Sequence, residues 1–179
     1  MRVGYADPPY PGYAYLYKNH KDYGGEVDHV ELIKQLAEYD GWVLHTASVS
    51  LANVINCATQ AGVTSDDYRI FSWVKPFAAF KPNVPVAYAW EPVLVKECRK
   101  PTVAHSNQVM RDWLAENITM RRGLTGAKPR NVCWWLFDCL GMEPTDCLDD
   151  LFPGTGAVSD AWEEWKKRQL PEPLELELA

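Results

Sequence analysis

The chain has 179 residues, 47% of them hydrophobic and 23% charged, which suits one compact, soluble core. A formal net charge of −6 excludes the uniformly basic footprint of a protein wrapped by nucleic acid. No apolar run approaches a membrane span. Five cysteines, an odd number with no CxxC pair, and the lack of a signal-peptide pattern point to reduced thiols in the cytoplasm and away from a disulfide framework or a Cys/His zinc site.

Arg2 to Ala6 reads as a short strand, stopped by Pro8 and Pro9, which offer no N–H to a ladder. Residues 11–27 are rich in Tyr and Gly and read as a loop. Asp28 followed by Glu31 resembles a capping box, and Val30, Ile33, Leu36 and Ala37 continue at helical spacing, with Gly41 closing the helix. Trp42 to Val49 reads as a buried strand, and Leu51, Val54, Ile55 and Ala58 as a helix ending at Gly62. Tyr68–Val74 and Val86–Val95 read as an antiparallel pair joined by a proline-containing loop. His45, inside an apolar strand, reads as a satisfied core histidine, and Lys75 as a surface residue near the end of its strand.

Between Lys96 and Arg130 the chain carries eight Lys/Arg and three Asp/Glu, against ten and 21 elsewhere, so one basic segment lies in an acidic chain. Residues 98–127 are polar, with weak helical signal from Val109 to Leu114. Pro129 is placed to open a helix running to Leu140, closed by Gly141. Asp146 to Phe152 reads as a strand, followed by Pro153-Gly154-Thr155-Gly156 and an amphipathic helix bearing Ala161, Trp162 and Trp165. This succession predicts an α/β fold with a mostly parallel sheet, one antiparallel strand and helices on both faces. It divides into one domain over 1–170, with a basic insertion at 98–127, and an acidic tail over 171–179.

In such sheets ligands bind beyond the carboxyl ends of strands, and two loops there carry suitable chemistry. Asp7-Pro8-Pro9-Tyr10 also fits a plain polyproline-like turn, but its chemistry suits capture of an exocyclic amine. Such a nitrogen is a poor nucleophile because its lone pair is delocalised. A carboxylate and a fixed carbonyl that accept its two N–H groups push it towards tetrahedral geometry, and a tyrosine offers a face for an extruded base. At the other end of the chain, Asp150-Leu151-Phe152-Pro153-Gly154-Thr155-Gly156 ends a strand with a Gly-x-Gly turn that lets a ligand approach the backbone. No Gly-Lys-Ser/Thr is present, which excludes a P-loop.

Together the two motifs resemble those of the permuted DNA amino-methyltransferases, the adenine-N6 and cytosine-N4 enzymes. Asp7-Pro8-Pro9-Tyr10 looks like their catalytic motif, Phe152-Pro153-Gly154-Thr155-Gly156 like their Phe-x-Gly-x-Gly cofactor loop, and Lys128-Pro129 like their Lys-Pro. The resemblance implies a Rossmann-like methyltransferase sheet, shortened after the cofactor helix and lacking a large target-recognition domain. It implies S-adenosylmethionine as cofactor and direct in-line transfer to a flipped base without a metal.

On this resemblance, Asp7 and the Pro8 carbonyl hold the amine, Pro9 stiffens the turn and Tyr10 stacks on the base. Asp7, Lys128, Pro129, Asp150, Phe152, Gly154, Thr155 and Gly156 border the cofactor, with Asp150 near its methionine amino group. Asp at position 7, where cytosine-N4 enzymes more often carry Ser, favours adenine N6. Lys18, His20, Arg121 and Arg122 are the candidate nucleic-acid contacts. Glu172, Glu175 and Glu177 are the candidates for the acid that relatives place against the cofactor ribose. DNA is the implied partner, with cytosine N4, RNA adenine and a catalytically silent partner subunit as alternatives. A homodimer is compatible, and the implied location is the cytoplasm, or the host cytoplasm for a phage-borne enzyme.

Overall fold

The computed structural model of the chain describes residues 1–18, 24–77, 84–100, 109–119 and 127–169. Six strands, β1 (Arg2–Ala6), β2 (Gly41–His45), β3 (Arg69–Val74), β4 (Trp90–Lys96), β5 (Trp113–Ala115) and β6 (Cys147–Asp150), form one sheet in the order β5-β3-β4-β2-β1-β6. β4 runs antiparallel to both neighbours, β2 and β3, and every other pairing is parallel. This is the mostly parallel sheet with one antiparallel strand that the sequence predicts.

Four helices, α1 (His29–Ala37), α2 (Leu51–Gln60), α3 (Arg130–Leu140) and α4 (Ala157–Gln169), cover the two faces. Alternate strand residues point to opposite faces. Val3, Tyr5, Val43, Val93 and Val95 meet Val132, Leu136 and Phe137 of α3 and Trp162 and Trp165 of α4. Ala6, Trp42, Leu44 and Leu94 meet Leu32, Ile33 and Leu36 of α1 and Val54 and Ala58 of α2. β2 is buried at every position, the pattern of a central strand covered on both sides. Phe137 stands edge-on to Trp162 at 5.3 Å and to Trp165 at 6.0 Å, and the two tryptophans stack. Among the described residues no helix is long and apolar enough to cross a membrane.

Several boundaries differ from the sequence expectation, each for a local reason. Gly41 does not close α1. It opens β2, where a Cβ would lie 2.6 Å from the Cys98 backbone nitrogen, so the glycine serves close approach to the segment that follows β4. β2 ends at His45, and a 3-10 turn (Ser48–Ser50) leads into α2. Asp28 caps α1 by accepting from the Val30 and Glu31 N–H groups, but Glu31 turns outward to Lys34, so the box is half formed. The residues read as weakly helical around Val109–Leu114 instead supply β5, which pairs with β3 and whose neighbour Asp112 binds Arg69. Residues 11–27 include a 3-10 turn, Ala14–Tyr17. Pro129 is the N-cap of α3 rather than its first residue, and β6 is shorter than the predicted strand at both ends.

Candidate active site

β1 and β6 are parallel neighbours, with Tyr5 opposite Asp150 and the Leu151 N–H donating to the Tyr5 carbonyl at 2.9 Å. The loops after Ala6 and after Asp150 therefore leave the same edge of the sheet side by side. β2 brings His45 to that edge as its last residue, and β3 is followed there by Lys75. Because β4 runs the other way, its second residue, Glu91, arrives at the same edge. Lys128 reaches it from the segment entering α3.

These side chains form one buried polar cluster. Glu91, only 3% exposed, receives hydrogen bonds from Lys128, His45 and Lys75, and from the Tyr10 hydroxyl. Lys128 Nζ lies 2.7 Å from Oε1, His45 Nδ1 lies 2.8 Å from Oε1, and Lys75 Nζ lies 2.9 Å from Oε2. A carboxylate can only accept, so His45 Nδ1 carries the proton and Nε2 accepts from the Tyr5 hydroxyl at 2.7 Å. Lys128 Nζ also lies 3.0 Å from Asp7 Oδ1. Both lysine ammonium groups lie over the Trp73 ring, Lys75 at 4.4 Å and Lys128 at 5.3 Å from its centroid.

The electrostatics follow from this geometry. Burial pushes Glu91 up, but Lys128, His45 and Lys75 outweigh it and hold the carboxyl well below its usual range. Burial pushes Lys128 down, but Asp7 and Glu91 outweigh it and hold the ammonium well above its usual range. Burial, then Lys128, lowers His45, which stays neutral. Two carboxylates and two ammonium groups therefore balance. Asp7, His45 and Glu91 bring metal-ligand types of atom within 4.8 Å of one another, but the Lys128 ammonium already supplies the cation between Asp7 and Glu91.

Beside this cluster lies a pocket edge of different character. Asp150 is partly buried, its Oδ1 accepts from the Phe152 N–H at 3.3 Å, and its Oδ2 is buried with no hydrogen-bond partner among the described residues. Burial raises its pKa and the neighbouring Asp7 charge adds to the shift, which outweighs the opposing hydrogen bonds from the Phe152 N–H and the Ser159 hydroxyl. A buried carboxylate oxygen without a donor is costly, and a cationic ligand group relieves that cost. Phe152 packs against the α1–α2 side of the core. Gly156 has a positive φ of 79°, and a Cβ there would meet nothing within 4 Å, so the turn fronts open space. Thr155 and Gly154 are exposed.

Asp7, Pro8, Tyr10, Lys128 and Asp150, singled out in the sequence, thus collect at one edge. Pro8 and Pro129 are buried. The Tyr10 phenol is raised by burial, with Lys128 opposing and a hydrogen bond to Glu91 adding to the shift, so its hydroxyl is turned into the cluster. Lys18 is exposed. His20, Arg121, Arg122, Glu172, Glu175 and Glu177 lie outside the described residues, as does the 171–179 tail. Glu91 was missed in the sequence, and Lys75 was read as surface although it is an ion-pair partner. The available signal was an acid, Glu91, flanking the apolar run from Pro92 to Val95.

No protein-family model and no curated protein matches the chain. Among solved structures it is similar to the M1.HpyAVI–SAM complex, with a TM-score of 0.62 and 18% identity over 92% of this chain and 77% of that one. It is also similar to a second crystal structure, that of M1.HpyAVI, with a TM-score of 0.57, 18% identity and coverage of 92% and 76%. The chain therefore shares a Rossmann-like fold with these structures.

Proposed function

We propose that the protein is an S-adenosylmethionine-dependent methyltransferase acting on adenine N6 in DNA. The observation that carries this reading is the adjacency of Asp7 and Asp150 at the ends of parallel neighbours β1 and β6. One offers a carboxylate for an amine, the other a buried oxygen for a cation. M1.HpyAVI, a DNA methyltransferase of the same fold, is described in complex with SAM, which supports both the cofactor and the substrate class.

The residues fit that cofactor. The unpartnered Asp150 Oδ2 suits the methionine ammonium, and the open turn at Gly154–Gly156 admits a ligand close to the backbone. Bound there, S-adenosylmethionine supplies an electrophilic sulfonium methyl. The protein's part is positioning and charge. Asp7 Oδ1 is held by Lys128, which leaves Oδ2 to accept one N–H of the target amine, while the Pro8 carbonyl accepts the other. With both N–H groups committed, the nitrogen lone pair points to the methyl, and Asp7 is placed to take up the proton displaced as the new C–N bond forms. Orientation and fixed dipoles of this kind account for a large share of such a barrier.

The adenine assignment rests on Asp7 in the motif position, and the DNA assignment on the fold relative. The test is twofold. Calorimetry should detect S-adenosylmethionine binding, and a methyl-labelled cofactor should pass its label to unmethylated DNA. Binding without transfer to DNA would leave a catalytically silent module or an RNA enzyme in its place.

A further inference from the structure

Glu91 makes more contacts within the cluster than the proposed chemistry uses. It meets the Asp7–Tyr10 loop through the Tyr10 hydroxyl, and it is the point at which β2, β3, β4 and the entry to α3 meet. Lys128 and His45 both donate to its Oε1, Lys75 donates to Oε2, and Tyr5 closes the chain behind His45. A buried acid in the core is expensive unless every lone pair is answered. Here two ammonium groups, an imidazole N–H and the Tyr10 hydroxyl answer it. A purely structural strand end needs no such arrangement.

We infer that Glu91 is a positioning residue for Asp7, acting through Lys128. The inference rests on the methyltransferase reading for its kinetic consequence but not for its geometry. Lys128 is shared, with its Nζ 2.7 Å from Glu91 and 3.0 Å from Asp7. The stronger hold on Lys128 is the buried one, since the Glu91 side chain is 4% exposed and that of Asp7 22%. Glu91 thus keeps the ammonium at the Oδ1 side of Asp7 and stops it from swinging fully onto the carboxylate. The other oxygen stays available to a substrate amine. His45, locked by Tyr5, fixes the Glu91 carboxylate plane in turn, and Lys75 neutralises the charge that Lys128 shares with Asp7.

Glu91→Gln keeps the size of the side chain and removes its charge. Freed from one anion, Lys128 pairs more tightly with Asp7, and turnover should fall about 10-fold or more while cofactor affinity stays within about twofold. The groups facing Lys128 are Asp7, Glu91 and Tyr10, with the Trp73 ring below. Losing the Glu91 charge therefore lowers the pH at which Lys128 deprotonates, and the alkaline limb of the turnover profile should move to lower pH. The 13Cε resonance of Lys128 reads the same change without catalysis. Glu91→Gln leaves a buried positive charge in excess, so the double variant E91Q/K75M, which removes one ammonium with the carboxylate, guards against loss of folding and should show the same turnover loss.

A folded E91Q/K75M with wild-type turnover and an unchanged Lys128 titration would overturn the inference. If the wild-type protein transfers no methyl group at all, the methyltransferase reading fails. The Lys128 resonance then still decides the positioning claim, with a lowered midpoint supporting it and an unchanged one refuting it.

Discussion

Tyr5 and Asp150 stand opposite each other across the parallel β1–β6 pair, so residues from the two ends of the chain share one edge of the sheet. Tyr5 turns its hydroxyl into the buried cluster at His45. Asp150 keeps one carboxylate oxygen buried and without a hydrogen-bond partner among the described residues. An unanswered oxygen destabilises the empty protein and favours a cationic ligand.

Asp150→Asn should separate those two effects. The amide oxygen can still accept from the Phe152 N–H, and the buried charge is gone. The empty variant should be as stable as the parent or more so, by up to about 1 kcal/mol, while S-adenosylmethionine affinity falls at least about 10-fold. Because the folded carboxyl titrates above its ordinary range, its contribution to stability is greatest at low pH and is lost as pH rises through the raised pKa. The variant should lack that component. Parallel denaturant titrations between pH 4 and 8 with calorimetry, on the scale of about one unit per step, check both halves.

Asp7→Ala removes the proposed acceptor for the target amine and leaves Lys128 paired only with Glu91 among its two anions. Turnover should drop by about 100-fold or more, the scale of losing one preorganised polar group. Cofactor affinity should change little. Steady-state kinetics beside cofactor calorimetry separate the two, and near-normal turnover would remove Asp7 from its assigned role.

Asp146 anchors the opposite edge of the sheet. Its side chain is 1% exposed and is gripped by Arg99 at 2.6 Å and by the Met1 ammonium at 2.9 Å. Burial pushes its carboxyl up, but Arg99, the Met1 ammonium and the Glu143 N–H together hold it well below the usual range. Its stabilisation is present above the ordinary aspartate pKa and is lost as pH falls towards the lowered one. Asp146→Asn should cost about 3 kcal/mol at neutral pH, the low end for breaking a buried pair because Arg99 and Met1 stay partly exposed, and should flatten the acid side of the stability profile. Thermal unfolding from pH 6 to about pH 2 reads both effects.

Gly41→Ala places a methyl group against the Cys98 backbone. Relief requires β2 to shift from β4, at a cost of about 1–3 kcal/mol. Since β2 carries His45, activity should fall along with the midpoint of chemical denaturation. A variant as stable as the parent would show that the strands approach less closely than described.

Much of this was legible in the amino-acid order. Asp7-Pro8-Pro9 ends β1 because proline has no N–H, and the Gly turn after β6 marks a ligand edge, so both candidate loops were found at their places. The continuous apolar runs around β2 and β4 and the 3.6-residue spacing in α1 and α2 pointed to the sheet and its cover. What escaped depends on tertiary contact. Gly41 reads as a helix end until Cys98 is seen beside it. Val109–Leu114 lacks the period of a strand because β5 is a short, largely exposed edge held by β3. Glu91 precedes an apolar run, and only the register of β4 against β2 and β3 shows that it meets Lys75, Lys128 and His45 together. The role of Lys75 was hidden for the same reason.

The most direct test of the central claim is analysis of the nucleosides released after incubation of the protein with methyl-labelled S-adenosylmethionine and unmethylated DNA. The account predicts label in N6-methyladenine with the wild-type chain and none with Asp7→Ala. Label in methylcytosine, or no label in DNA from a protein that binds the cofactor, would contradict it.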